Sequence, residues 1–162
     1  NSFEGMMEPR LIMYFVPFVS LITGMSGNVG IQSSTILVRS MATGMITRKT
    51  KGRAIKREVL IGLFTGILFG LMCGTLVSIL NYLGVYSAEG YPVRVGIMVG
   101  IGLFSACLVS TFLGVISPFA FGRIGVDPAI ASGPIVTAFN DVTGTLIYFV
   151  VVYVLSSLFF QF

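Results

Sequence analysis

The sequence contains no histidine and no tryptophan, only two cysteines, and charge on just 10% of its 162 residues. Without histidine, imidazole-based catalysis and most zinc sites are out of reach. Cys73 and Cys107 lie deep in apolar runs without metal-ligand spacing, and read as small core residues rather than a disulfide. An ordinary soluble domain carries roughly 25% charge, and well under half of that cannot cover a water-facing surface. Disorder is excluded too, because it requires low hydrophobicity and high net charge. Here 55% of residues are hydrophobic and the mean hydropathy is +0.97. The composition therefore describes an all-α integral membrane protein, or a piece of one, with room for a single domain.

A membrane-crossing helix needs about 20 apolar residues. Four segments meet that requirement, at about 11–40, 59–86, 95–121 and 128–160. They are too long and too evenly apolar for barrel strands, which alternate over about ten residues. Six of the ten basic residues fall between Arg48 and Arg57, in a loop at 44–58. That clustering is a topology signal rather than a nucleic-acid patch, and it places the loop in the cytoplasm, with the chain expected in the cell's inner (plasma) membrane. The start of the chain, with Glu4 and Glu8, then faces outside, as do the loop holding Glu89 and Arg94 and the C-terminus. An outside start without an initiator Met or signal peptide predicts at least one earlier span, so the sequence reads as part of a longer protein.

Gly62, Gly66, Gly70 and Gly74 repeat every fourth residue along the second span, and Gly96 and Gly100 repeat the spacing in the third. Small residues so placed let a neighbouring helix backbone come close; a hinge or pore face would use the same spacing. The third span is expected to end near Ser117-Pro118.

Asp141 is the informative residue. It lies about 20 Å past Pro128 along a helix, a depth at which a carboxylate normally faces the bundle interior or water and marks an ion, proton or substrate path. No Lys or Arg of the chain sits at comparable depth to neutralise it. Thr137 and Thr145 stand one turn either side, Ala138 and Gly144 are small neighbours, and Tyr148 follows on the same face, while Asn140 points elsewhere. Gly133 and Pro134 loosen the upstream turn, and freed carbonyls at membrane depth belong beside a water-filled cavity. Asp127-Pro128 has the form of an N-cap followed by proline at the first helical position, and it also puts a negative charge at the cytoplasmic mouth.

The first span complements this one. Gly24, Gly27 and Gly30 weaken its helix, each by about 1 kcal/mol against Ala, so an interruption is expected there. Asn28, Gln32, Thr35 and Arg39 then recur at helical spacing as a polar stripe. Such a stripe either hydrogen-bonds neighbouring helices or lines a permeation path.

Two segments carry a resemblance. Gly24-Met25-Ser26-Gly27-Asn28-Val29-Gly30-Ile31-Gln32-Ser33 and Asp127-Pro128-Ala129-Ile130-Ala131-Ser132-Gly133-Pro134, continuing to Asn140-Asp141-Val142-Thr143-Gly144, resemble the transmembrane domain of the MgtE magnesium channels. The resemblance runs over essentially the whole chain. It implies five helices per subunit, a cytoplasmic N-terminus and a homodimeric pore, with this chain supplying helices two to five. It also implies that Asp141 holds hydrated Mg2+ in the pore and that Thr137 contributes a backbone oxygen one turn earlier. Asp127 would be the acid at the cytoplasmic end, and Gly27, Asn28 and Thr35 would lie on the second pore-lining helix. The sequence departs from the family pattern at Ser26, where Gly is frequent, and at Gly133, where some members carry Asn; at Gly133 only the backbone is left to contribute. The family's N-terminal helical domain and paired CBS domains, its cytoplasmic regulatory parts, have no counterpart in these residues.

The resulting expectation is the pore domain of a divalent-cation channel, not an enzyme. Its metal-contacting residues are Asp141, Thr137 and Asp127, and its pore is lined by Gly27, Asn28, Gln32, Thr35, Gly133 and Ala138. Its partners are Mg2+, the lipid bilayer and a second copy of the chain. Magnesium dehydrates reluctantly and usually keeps several waters while meeting one or two carboxylates, which suits one Asp per subunit flanked by small residues. The rival reading is a secondary transporter in which Asp141 couples cation movement to a proton or sodium gradient. An aspartyl protease needs two carboxylates sharing a site, and only one lies at depth.

Overall fold

The structure, a computed structural model, describes residues 14–85, 92–131 and 133–160. Glu4, Glu8 and Glu89, used above to orient the chain, lie outside the described residues. Every regular element among the described residues is helical. A 3-10 turn at Val16–Phe18, built around Pro17, leads into α1 (Val19–Ala42). Then follow α2 (Lys51–Tyr82), α3 (Pro92–Arg123), the short α4 (Pro128–Ala131) and α5 (Pro134–Phe160).

Glycine ends the long helices. Gly44, Gly84 and Gly125 have φ of 71°, 71° and 77°, in the left-handed region that a helix C-terminus requires. Beyond Gly84 the Val85 N–H reaches back to the Leu80 carbonyl at 3.1 Å, and beyond Gly125 the Val126 N–H reaches the Phe121 carbonyl at 3.0 Å. These bonds satisfy carbonyls that the helix end leaves open.

α3 is the central element, with α2 along one side and α1 and α5 along the other. The glycine repeat of α2 faces α3. A Cβ on Gly70 would lie 2.7 Å from the Gly100 carbonyl oxygen, and one on Gly74 would lie 2.9 Å from that of Gly96. Backbone therefore meets backbone along this seam, the packing that small residues permit in a bilayer. Gly100→Ala puts a methyl 2.7 Å from the Gly70 carbonyl. It is expected to remove about 1–3 kcal/mol of stability, read as an earlier midpoint in denaturant titration of the detergent-solubilised chain. An unchanged midpoint would mean that the two helices stand farther apart.

Several boundaries differ from the sequence reading, each for a local reason. α1 is continuous through Gly24, Gly27 and Gly30, where an interruption was expected. Gly27 and Gly30 serve close approach to α5 and α3 rather than a backbone break. α3 does not stop at Ser117-Pro118 but runs on to Arg123. Pro118 leaves the Gly114 carbonyl without its helical N–H, and the Ser117 hydroxyl donates to that carbonyl at 3.3 Å instead. The expected last span divides into α4, which ends at Ala131, and α5, which starts at Pro134. The basic segment 44–58 is a turn only as far as residue 50, after which its remainder forms the first two turns of α2.

Among the described residues, three helices are long and apolar enough to cross a membrane: Lys51–Tyr82, Val93–Arg123 and Pro134–Phe159. α1 has the length, about 36 Å at 1.5 Å per residue, but not the apolarity. Gly24, Ser26, Asn28, Gln32, Ser33 and Ser34 occupy its middle.

Candidate cation site

The site is built where α1 and α5 pass antiparallel. A Cβ on Gly144 would meet the Ser26 hydroxyl at 2.9 Å, one on Gly27 would lie 3.3 Å from Asp141 Oδ1, and one on Gly30 would fall on the Asn140 amide. Rising along α1 and descending along α5, small residues thus alternate with polar ones at matched heights. This register brings Asp141 directly against Gly27, two residues that are 114 positions apart in the chain.

Asp141 is half-buried, and its carboxylate makes no hydrogen bond or ion pair with any described residue. Its backbone carbonyl accepts the Thr145 hydroxyl at 2.7 Å. Helical geometry puts Pro134, Thr137, Ala138 and Thr145 on the same face of α5 as Asp141. Thr137 is half-buried, and its hydroxyl donates to the Gly133 carbonyl at 3.2 Å. Gly133 has open space where a side chain would project. Ala138 is exposed, as are Asn28, Gln32 and Thr35 on the strip of α1 beside Gly27. Arg39 continues that strip.

Asp127 is not brought to Asp141. It is exposed ahead of α4, and its Oδ1 accepts the Ala129 N–H at 2.8 Å, the N-cap arrangement expected of Asp-Pro. Tyr148 leaves the polar face as well. It is fully buried, with its ring against Gly102 and its hydroxyl donating to the Phe15 carbonyl at 3.1 Å. It is a core anchor rather than a lining residue.

Asn140 was expected to point elsewhere on the helix, and it does, but into a polar junction rather than into apolar core. Its side chain is fully buried against Gly30, and beside the same point of α1 lies the Ser110 carbonyl of α3. Neither atom of its amide has a partner, nor do the buried hydroxyls of Ser26 and Ser110. A sequence signal for this junction exists: Ser26 and Gly30, Ser110 and Gly114, and Asn140 and Gly144 are each pairs four apart on one of three helices. Glu58, in the second turn of α2, is only 1% exposed. Its Oε1 lies 3.4 Å from the Arg57 guanidinium, the only ion pair among the described residues, and its Oε2 has no partner.

No three acidic, cysteine or histidine side chains gather into a metal cluster among the described residues. One carboxylate with small and hydroxyl-bearing neighbours cannot strip and enclose a cation, but it can meet a cation that keeps its water.

Three long apolar helices, packed with a fourth whose polar seam holds an unpaired acid, define a helical membrane protein. The sequence model for MgtE, a divalent cation transporter, matches residues 19–151, and the chain belongs to that family. This is a family of transporters rather than of enzymes. The chain is 36% identical over 149 residues to a magnesium transporter MgtE of Enterococcus faecalis, covering 92% of this chain and 30% of that protein. It is 32% identical over 157 residues to the magnesium transporter MgtE of Bacillus subtilis, covering 91% of this chain and 33% of that protein. With the magnesium transporter MgtE of Thermus thermophilus it shares 33% identity over 148 residues. The chain thus spans about a third of the length of these relatives.

Proposed function

We propose that this chain forms the pore of a magnesium channel, with Asp141 as the residue that selects the ion. The observation that carries this reading is the unpaired Asp141 carboxylate held against Gly27, on a face of small and hydroxyl-bearing residues. A hydrated Mg2+ would meet the carboxylate through its water shell, with the Thr137 backbone oxygen one turn away. Gly27 and Ala138 leave the width that retained waters need. Asp127, exposed ahead of α4, would concentrate cations at the entrance, a use of acidic residues common to cation pores.

The exposed strip of Asn28, Gln32 and Thr35 supports a second copy of the chain as partner. These groups cannot face hydrocarbon without loss, and a two-fold arrangement would cover them and present two copies of Asp141 to one pathway. Within such an assembly α1 is the fourth crossing helix, its polar side turned from lipid. The basic segment 44–58 would face the cytoplasm and the C-terminus the outside of the plasma membrane. The single domain 1–162 would be the membrane part of a longer protein whose cytoplasmic regions regulate it.

Liposomes containing the chain and a magnesium-sensitive dye test the reading. Uptake should follow an imposed membrane potential, negative inside, with no dependence on proton or sodium gradients. Uptake driven by either gradient at zero potential would overturn passive conduction in favour of coupled transport.

A further inference from the structure

Outside the polar seam, the α2–α3 pair carries two surface grooves. The tight glycine seam draws the backbones together and leaves a valley on the outer face. At the end farther from the basic turn the valley is about 620 Å³ and has no charged residue in its lining. At the basic end a second groove of about 260 Å³ lies between Ile55 and Val59 of α2 and Phe112, Val115 and Ile116 of α3. Phe112 and Ile116 are 49% and 58% exposed, so the groove opens outward where hydrocarbon would lie.

The second groove is closed at its end by two cations, Lys51 and Arg123. The Lys51 ammonium stands 4.0 Å above the centre of the Phe119 ring, a cation–π contact that holds it across the groove. Arg123 is exposed in the last turn of α3 and makes no ion pair with a described residue. The arrangement has a direction: apolar walls run toward mid-membrane, and positive charge sits at the level where head groups would lie.

We propose that this groove is a binding site for an anionic phospholipid of the leaflet next to the basic turn. The acyl chain lies between Ile55 and Ile116, and the phosphate sits between Lys51 and Arg123. Charge complementarity selects the head group, and the apolar walls select a ligand with a tail. Basic pockets between helices at a membrane surface recognise anionic head groups in this manner. A soluble phosphate compound would gain nothing from the walls.

Spin-labelled phosphatidylglycerol and phosphatidylcholine, compared by electron paramagnetic resonance with the full chain in phosphatidylcholine bilayers, test this. Wild type should prefer phosphatidylglycerol at the protein surface, and the preference should fall by about fivefold or more in Lys51→Gln/Arg123→Gln. Lys51→Arg should retain it. Ala120→Phe, which fills the rim of the groove while keeping both cations, should also lose it. Arg53→Gln/Lys56→Gln, which removes equal charge from the same surface, should not. Three results would each overturn the site: an undiminished preference in Lys51→Gln/Arg123→Gln, an equal fall in Arg53→Gln/Lys56→Gln, or displacement of the lipid by millimolar inorganic phosphate.

Discussion

Asp141→Asn is expected to reduce voltage-driven Mg2+ uptake into liposomes by roughly ten- to a hundredfold while leaving the folded protein intact. A hydrogen bond from a cation's water to a carboxylate contributes about 1.5–3 kcal/mol, and the amide replaces it with a neutral one. Stability should not suffer, because the carboxylate has no described partner to lose. Removing a half-buried charge relieves desolvation instead. Asp141→Glu keeps the charge but extends it by one methylene from the Gly27 contact, so partial activity is expected. The informative pair of measurements is uptake together with the unfolding midpoint. Uptake equal to wild type would sink the role of Asp141. A collapse of both quantities would mean that Asp141 is structural.

The largest expected loss of stability follows Gly114→Ala. The added methyl would fall on the Gly30 carbonyl oxygen, within 2.8 Å of the Gly30 carbonyl carbon and 3.1 Å of its Cα. Every one of these neighbours is backbone, so no side-chain rotamer can relieve the overlap, and α1 must move away from α3. The expected cost is about 3 kcal/mol, the upper part of the range for overpacking. Gly24→Ala is the matched control, since nothing lies within 4 Å of its added methyl. It should stabilise α1 by up to about 1 kcal/mol through helix propensity alone. Denaturant midpoints that shift in opposite directions establish the close crossing at Gly30. Equal shifts would mean that Gly30 and Gly114 do not meet.

Asp141 is legible in the sequence because a lone acid about 20 Å into an apolar run has few structural excuses. The α2 seam is legible as well, since a period of four marks one helix face whatever that face meets. What α1 does with its glycines is not. Helix propensity treats each as a local weakness, whereas Gly27 and Gly30 are explained by side chains of α5 and the backbone of α3, eighty or more positions away. Pro118 misleads for the converse reason. The hydroxyl that repairs the helix is its own neighbour Ser117, and a proline rule that counts only N–H groups overlooks it. Asn140 lies between these cases. Periodicity shows that it leaves the Asp141 face, but only the register of three helices shows where it goes.

The unbroken course of α1 has a mechanical consequence. A helix hinged at Gly24–Gly30 could bend near the acid while its end by the basic turn stayed still. A continuous one is a stiff rod: from Ala42 to Gly27 it spans about 22 Å without a joint. Any pull or tilt applied at the Ala42 end therefore reaches the wall beside Asp141 undiminished. In the proposed pore, the passage at that point would widen or narrow as the whole rod leans, with the glycine crossings as its fulcrum.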